Sequence, residues 1–195
     1  MQQTRQTTGL NVLLVAAGLT VSASAFSGDE ISAETFDCIR DMTPVRGFFV
    51  DNLAGNLDAT LQVANSPEGG RYPEGSVVQL VPTEVMVKRE TGFSPATNDW
   101  EFFELEVSPE GSKITARGFV DVVNRFGGNC FACHVKAEPQ WDLVCEQGHG
   151  CDPIPLTPTM LRAIQKTDPR CEPVPLSDEE KAALKALASA MPAAE

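Results

Sequence analysis

The chain has 195 residues, a formal net charge of −12 and a 42% share of hydrophobic residues. That length suits an export signal followed by one domain with a single core. The acid excess excludes a general nucleic-acid or anionic-lipid surface, and no run beyond the first 25 residues is long and apolar enough to cross a bilayer.

Residues 1–25 read as a secretory signal. Arg5 gives a thin positive start, Leu10 to Val21 is apolar apart from Asn11, Gly18 and Thr20, and Ala23-Ser24-Ala25 forms a small-residue cleavage site before Phe26. Cleavage removes Arg5 and no acid, so the mature charge moves from −12 to −13. The expected location is a bacterial periplasm, without stable membrane insertion. The anticipated partners are basic proteins or small molecules, not nucleic acid.

Further along, Ala33 to Asp41 is expected to form a short helix carrying Cys38. Residues 66–75, rich in Pro, Gly and Glu, read as a loop closing on the turn Tyr72-Pro73-Glu74-Gly75. The β-branched runs Val77 to Val81 and Val85 to Arg89 follow as strands, with Pro82 placed at a bulge or an edge. After a polar loop at 91–98, Trp100 to Val107 is the clearest strand. It points Trp100, Phe102, Glu104 and Glu106 one way and Phe103, Leu105 and Val107 the other. The turn Ser108-Pro109-Glu110-Gly111 returns the chain as a partner strand from Ile114 to Val120. The expected class is therefore α+β: an antiparallel meander with flanking short helices. Near the C-terminus, Val135 to Val144 is expected as a short helix. Thr157-Pro158 opens another to about Lys166, and the capping box of Ser177 and Glu180 opens a third to about Ala190. The expected units are a signal at 1–25, a main domain at 26–175 and a C-terminal helix at 176–195.

One motif stands out from this frame, Cys130-Phe131-Ala132-Cys133-His134. Two thiols three positions apart can add across the vinyl groups of a haem, and the adjacent histidine can then ligate the iron. The reading is one haem c per chain, bound by Cys130 and Cys133 with His134 as axial ligand to the iron. Gly127 and Gly128 before the motif would let backbone and porphyrin approach closely. The rival readings are a disulfide or half of a zinc site, whose other ligands would come from His149, Cys145 and Cys151. In an exported protein the remaining cysteines Cys38, Cys145, Cys151 and Cys171 read as two disulfides with three alternative pairings. One of these closes the short loop Cys145 to Cys151 and leaves Cys38 to join Cys171.

About one hundred residues of mainly β character ahead of the motif suit neither the helical class I cytochromes nor the four-helix type. From Tyr72-Pro73-Glu74-Gly75 through Trp100 to Val107 and on to Cys130 to His134, the chain resembles the cytochrome P-460 family and its relative, the β-sheet form of cytochrome c-prime. The resemblance implies an antiparallel sheet with a c-type haem at its end, His134 as proximal ligand and an open distal face. In the enzymes of that family a strand lysine is cross-linked to the porphyrin edge and a distal carboxylate assists hydroxylamine oxidation. Val77 to Val81 contains no lysine, and Lys88 is the nearest. Glu104 is the candidate carboxylate, with a solvated strand position as its plainer reading. Phe102 or Phe103 would cap the distal site as aromatics do in the c-prime relative, or simply pack in the core.

Function then turns on the iron's sixth position. The candidate ligands are His149 in Gly148-His149-Gly150, Met86, Met160 and Met191. Three functions follow: a periplasmic electron carrier serving a redox partner protein, a binder of nitric oxide or another small gas, and an oxidase of hydroxylamine or a similar compound. The missing strand lysine counts against the oxidase, and a homodimer is compatible with all three.

Overall fold

Six strands follow one another in chain order, each antiparallel to the next, so that the sheet is a single meander β1-β2-β3-β4-β5-β6. They are β1 Thr43–Val45, β2 Phe48–Asn52, β3 Ser76–Val81, β4 Glu84–Lys88, β5 Trp100–Ser108 and β6 Gly111–Gly118. The helices are α1 Leu57–Ala64, α2 Cys130–His134, α3 Pro158–Lys166 and α4 Asp178–Ala190. This computed structural model describes residues 31–124 and 127–190. The expected signal, its cleavage site and Met191 lie outside the described residues. Among the described residues, no helix is long and apolar enough to cross a membrane.

Alternation along the strands buries both faces of the sheet. Val50, Val78, Met86, Trp100 and Phe102 share one apolar cluster, which α1 joins through Leu57 and Leu61. Val77, Val85, Val87, Phe103 and Leu105 share another, covered by Ile31 and Phe36. The divided facing expected for β5 therefore holds for its central residues. The β3–β4 connection is the tight turn Pro82-Thr83, so Pro82 lies between strands, and the register shifts at Gln79 and Val81 instead.

Buried polar groups fix the crossing from β2 to β3. Asn52 Oδ1 accepts from the backbone N–H groups of Ala54 and Asn56, while its amide donates to Thr60 Oγ1 and to the carbonyl of Glu74. Gly75 completes this corner at φ +82, where a Cβ would lie 2.6 Å from the Ala54 nitrogen, so only glycine fits.

Two expected helices are replaced. Ala33 to Asp41 forms two separate 3-10 turns, Ala33–Thr35 and Ile39–Asp41, with extended backbone at Phe36 between them. Val135 to Val144 holds only the 3-10 turn Pro139–Trp141, because Pro139 removes a donor and Asp142 and Leu143 adopt left-handed backbone. The capping signals further on fold as read. Thr157 Oγ1 accepts from Met160 N, and Ser177 and Glu180 exchange the two hydrogen bonds of a capping box. α4 is tied back to α3 by the Lys166–Glu180 ion pair.

Candidate functional site

After β6 the chain folds back as a loop that delivers α2 onto the face formed by Trp100 and Phe102. Val122 is fully buried there, Asn124 N donates to the Gly128 carbonyl, and Cys130 N donates to that of Val122. Asn129 finishes the loop and starts the helix. Its Oδ1 accepts from Ala132 N at 2.9 Å, and its amide donates to the carbonyls of Phe119, Val120 and Val122 at 3.2, 2.8 and 3.2 Å. A Cβ at Gly127 would meet nothing within 4 Å, whereas its φ of +78 suits glycine. Gly127 therefore serves the turn, and Gly128 lies against the Asn124 side chain.

On this single helical turn Cys130 and Cys133 are both half-buried and unbridged. Burial pushes the Cys130 thiol up to about 12, and the nearby carboxylates of Glu84 and Glu104 push the same way. Glu84 and Glu104 are register partners on β4 and β5. Glu104 is thus half-buried on the sheet face that meets the motif. Phe131 packs on Phe119 and Phe102 with ring centroids 5.8 and 6.3 Å apart, and Phe102 meets the His134 ring at 5.2 Å in an edge-to-face contact. The motif therefore lies over the face of the sheet at Phe102. Phe103 points to the opposite face, where it packs on Phe36, and cannot cap this site.

His134 is oriented from behind. Its Nδ1 lies 2.6 Å from the Leu143 carbonyl oxygen. A carbonyl only accepts, so the proton sits on Nδ1 and Nε2 carries the lone pair. Burial lowers the pKa of the ring, which keeps it neutral at pH 7. The carbonyl belongs to a loop with two successive left-handed non-glycine residues, Asp142 at φ +49 and Leu143 at φ +65. Four contacts hold it. Trp100 Nε1 donates to the Asp142 carbonyl at 2.7 Å, Tyr72 N donates to Asp142 Oδ2 at 2.8 Å, and Lys88 Nζ reaches the same oxygen at 2.6 Å. Gly70 N donates to the Gln140 carbonyl. Lys88 and Asp142 are both buried, and the ammonium lies over the Trp100 ring. Burial presses the Lys88 pKa down while Asp142 pulls it back up.

Compared with family models, curated proteins and solved structures, the chain matches none.

The four other cysteines are joined as Cys38–Cys171 and Cys145–Cys151, one of the three pairings open to the sequence. Cys145 and Cys151, the thiols a zinc centre would have needed, are thus spent on each other. Among the described residues, no three His, Cys, Asp or Glu side chains come together to hold a metal ion. His149 stacks flat on Trp141 at 3.7 Å, with its Nδ1 2.8 Å from the Val144 carbonyl. The chain's two histidines thus engage the carbonyls of consecutive residues. Met86 is buried beside Phe102, and Met160 is half-buried in α3.

Exposed apolar residues lie near the motif in sequence. Val120, Val123 and Val135 are 69%, 38% and 50% exposed and flank α2 on both sides in sequence. Exposed apolar side chains next to a motif are a feature of surfaces that bind an apolar group. A protein-ligated haem also needs a histidine whose far nitrogen is anchored and whose near nitrogen is free, which is how His134 is held. The residues present therefore fit a covalently bound haem. The sequence reading missed Asn129, Tyr72 and Asp142. A lysine closing the apolar strand Val85-Met86-Val87-Lys88 was the available signal that a buried carboxylate partner would be needed.

Proposed function

We propose that this chain is an exported c-type haem protein with electron-transfer capability, similar to the cytochrome P-460 family. Cys130 and Cys133 hold the porphyrin through thioether bonds, and His134 Nε2 ligates the iron. One observation carries the reading. Of the six cysteines, the only two left unbridged share a helical turn with a histidine whose Nδ1 is tied to a carbonyl. When bound, the haem supplies one-electron chemistry and a site for small diatomic ligands. The chain's own residues supply attachment, an aromatic wall of Phe102, Phe119 and Phe131, and an oriented ligand.

The engagement of two of the four candidate sixth ligands favours an iron with an open distal face. Met86 is enclosed in the core, and His149 is stacked on Trp141 and bonded to Val144. An open face suits nitric oxide or a comparable gas. Hydroxylamine oxidation is the second reading, favoured by the half-buried Glu104 beside Cys130 and weakened by Lys88, whose amine is taken by Asp142. Absorption spectra of the mature protein, made with a periplasmic haem-attachment system, test the proposal. A ferric high-spin spectrum that changes on adding nitric oxide is expected, with attachment impaired in Cys130→Ala and Cys133→Ala. A chain without haem would overturn the reading, and a low-spin pair of spectra would overturn the open site. Glu104→Gln should abolish hydroxylamine turnover if the second reading holds.

A further inference from the structure

The segment 142–144 follows the 3-10 turn Pro139–Trp141 and belongs to no regular element, yet it places two carbonyls under two histidines. Asp142 and Leu143 occupy left-handed backbone without being glycines, a conformation that persists only where surrounding contacts over-determine it. The contacts that do so converge on Asp142: Trp100 Nε1 on its carbonyl, Tyr72 N and Lys88 Nζ on its carboxylate. Lys88 is the one charged group among these donors. Its stem rises from β4 beside its register partner Trp100, and the ammonium lies over that ring, 4.8 Å from the centroid. Both partners of the pair are buried, so neither charge can turn to water if the other is lost.

We infer that Lys88 is a positioning residue for His134: through Asp142 it fixes the Leu143 carbonyl that holds Nδ1, and so sets the direction in which Nε2 is presented to the iron. The inference rests on the proposed haem reading for its consequence, while the positioning itself is a property of the chain. It gives the strand lysine a role different from the cross-link the resemblance implies. The path is short and continuous, from Nζ to Oδ2 at 2.6 Å, through one peptide unit, and from the carbonyl to Nδ1 at 2.6 Å. The rest of the local charge is arranged around the pair. Arg71 pairs with Asp99 next to it, and both act on Lys88 electrostatically.

The experiment uses the full mature chain as wild type, Lys88→Met, Lys88→Arg and Arg170→Met. The last breaks another buried pair, Asp168–Arg170, which lies near Cys171. In the haem-free chain at neutral pH, nitrogen NMR reads the His134 tautomer and the exchange of its Nδ1 proton. In the haem-loaded chain, resonance Raman reads the ferrous iron–histidine stretching band. Wild type should show one Nδ1-protonated tautomer with a slowly exchanging proton. Lys88→Met should speed that exchange about tenfold or more, the signature of a local opening, and should broaden the iron–histidine band. Lys88→Arg should restore part of both, and Arg170→Met should leave both as in wild type. A folded Lys88→Met chain with wild-type exchange overturns the inference, and so does an equal response in Arg170→Met. If Lys88→Met fails to fold, the double variant Lys88→Met with Asp142→Asn removes both charges and is read in the same way; failure of both to fold assigns the pair to folding and overturns the inference. A chain that takes up no haem while Lys88→Met still frees the ring overturns the haem reading alone. A haem-loaded chain whose ring is indifferent to Lys88 overturns this inference alone.

Discussion

Around Cys171, a disulfide to Cys38 and the buried Asp168–Arg170 pair join the first described residues to the chain that follows α3. Around His134, a disulfide between Cys145 and Cys151 and the buried Lys88–Asp142 pair surround one short loop. The first disulfide spans 133 residues and the second spans 6. The ion pairs reverse that relation, since Asp168 and Arg170 are two residues apart while Lys88 and Asp142 are 54 apart. The long covalent link closes the fold, and its ion pair, although formed between near neighbours in sequence, holds Ile39, Phe36 and Pro82 through further hydrogen bonds. At the site the covalent link is local, and the long-range fixing falls to a charge pair that reaches from the sheet. The difference separates overall stability from the orientation of a functional side chain.

The largest effect should come from Cys38→Ala with Cys171→Ala. Opening a loop of that length should cost about 5 kcal/mol by the chain-entropy relation, read by urea unfolding, with the His134 hydrogen bond intact in whatever fraction stays folded. Loss of that bond in the folded fraction would break the comparison. Phe102→Ala removes the ring on which His134 and Phe131 both rest and should cost about 3 to 5 kcal/mol. It should affect the site as well as the fold, which an unchanged His134 NMR signal would contradict.

Cys145→Ala with Cys151→Ala should cost only about 2 kcal/mol by the same relation. It should loosen the stack of His149 on Trp141, visible as a change in tryptophan fluorescence. The smallest effect is a pH dependence. Burial works to raise the Asp168 pKa, but the Arg170 guanidinium and the N–H groups of Ile39 and Arg170 prevail, so the folded value lies below the ordinary 3.8. The folded state thus binds this proton less readily than the unfolded one. Its stabilisation is complete above the ordinary value and is lost as pH falls through the lowered one. Asp168→Asn should flatten the acid limb of the stability curve below about pH 4, read by urea unfolding at a series of pH values.

Much of the sheet was legible because burial on both faces gives β3 and β4 near-continuous β-branched runs, while in β5 the residues facing the two sides could be told apart by alternation. The caps of α3 and α4 were legible because Thr157, Ser177 and Glu180 are local signals whose partners lie three residues away. β1, β2 and α1 were not. Their strands are three and five residues long, and Asn56 before α1 makes no side-chain cap that could announce it. The residues from Val135 to Val144 looked helical by composition, but tertiary contacts from Tyr72, Lys88 and Trp100 hold Asp142 in a conformation that a helix excludes. The candidate site divides in the same way. Cys130, Cys133 and His134 are adjacent in sequence and could be read directly. The Leu143 carbonyl, Asp142 and Lys88 become neighbours only once the sheet is built, and a backbone carbonyl leaves no trace in side-chain identity.

The measurement that tests the central claim most directly is the intact mass of the mature chain, made with a haem-attachment system and denatured in acid before analysis. The account predicts a wild-type mass increased by one haem that survives denaturation, and loss of that two-point attachment in Cys130→Ala and in Cys133→Ala. A wild-type chain at its bare polypeptide mass, with Cys130 and Cys133 free or bridged to each other, would contradict it.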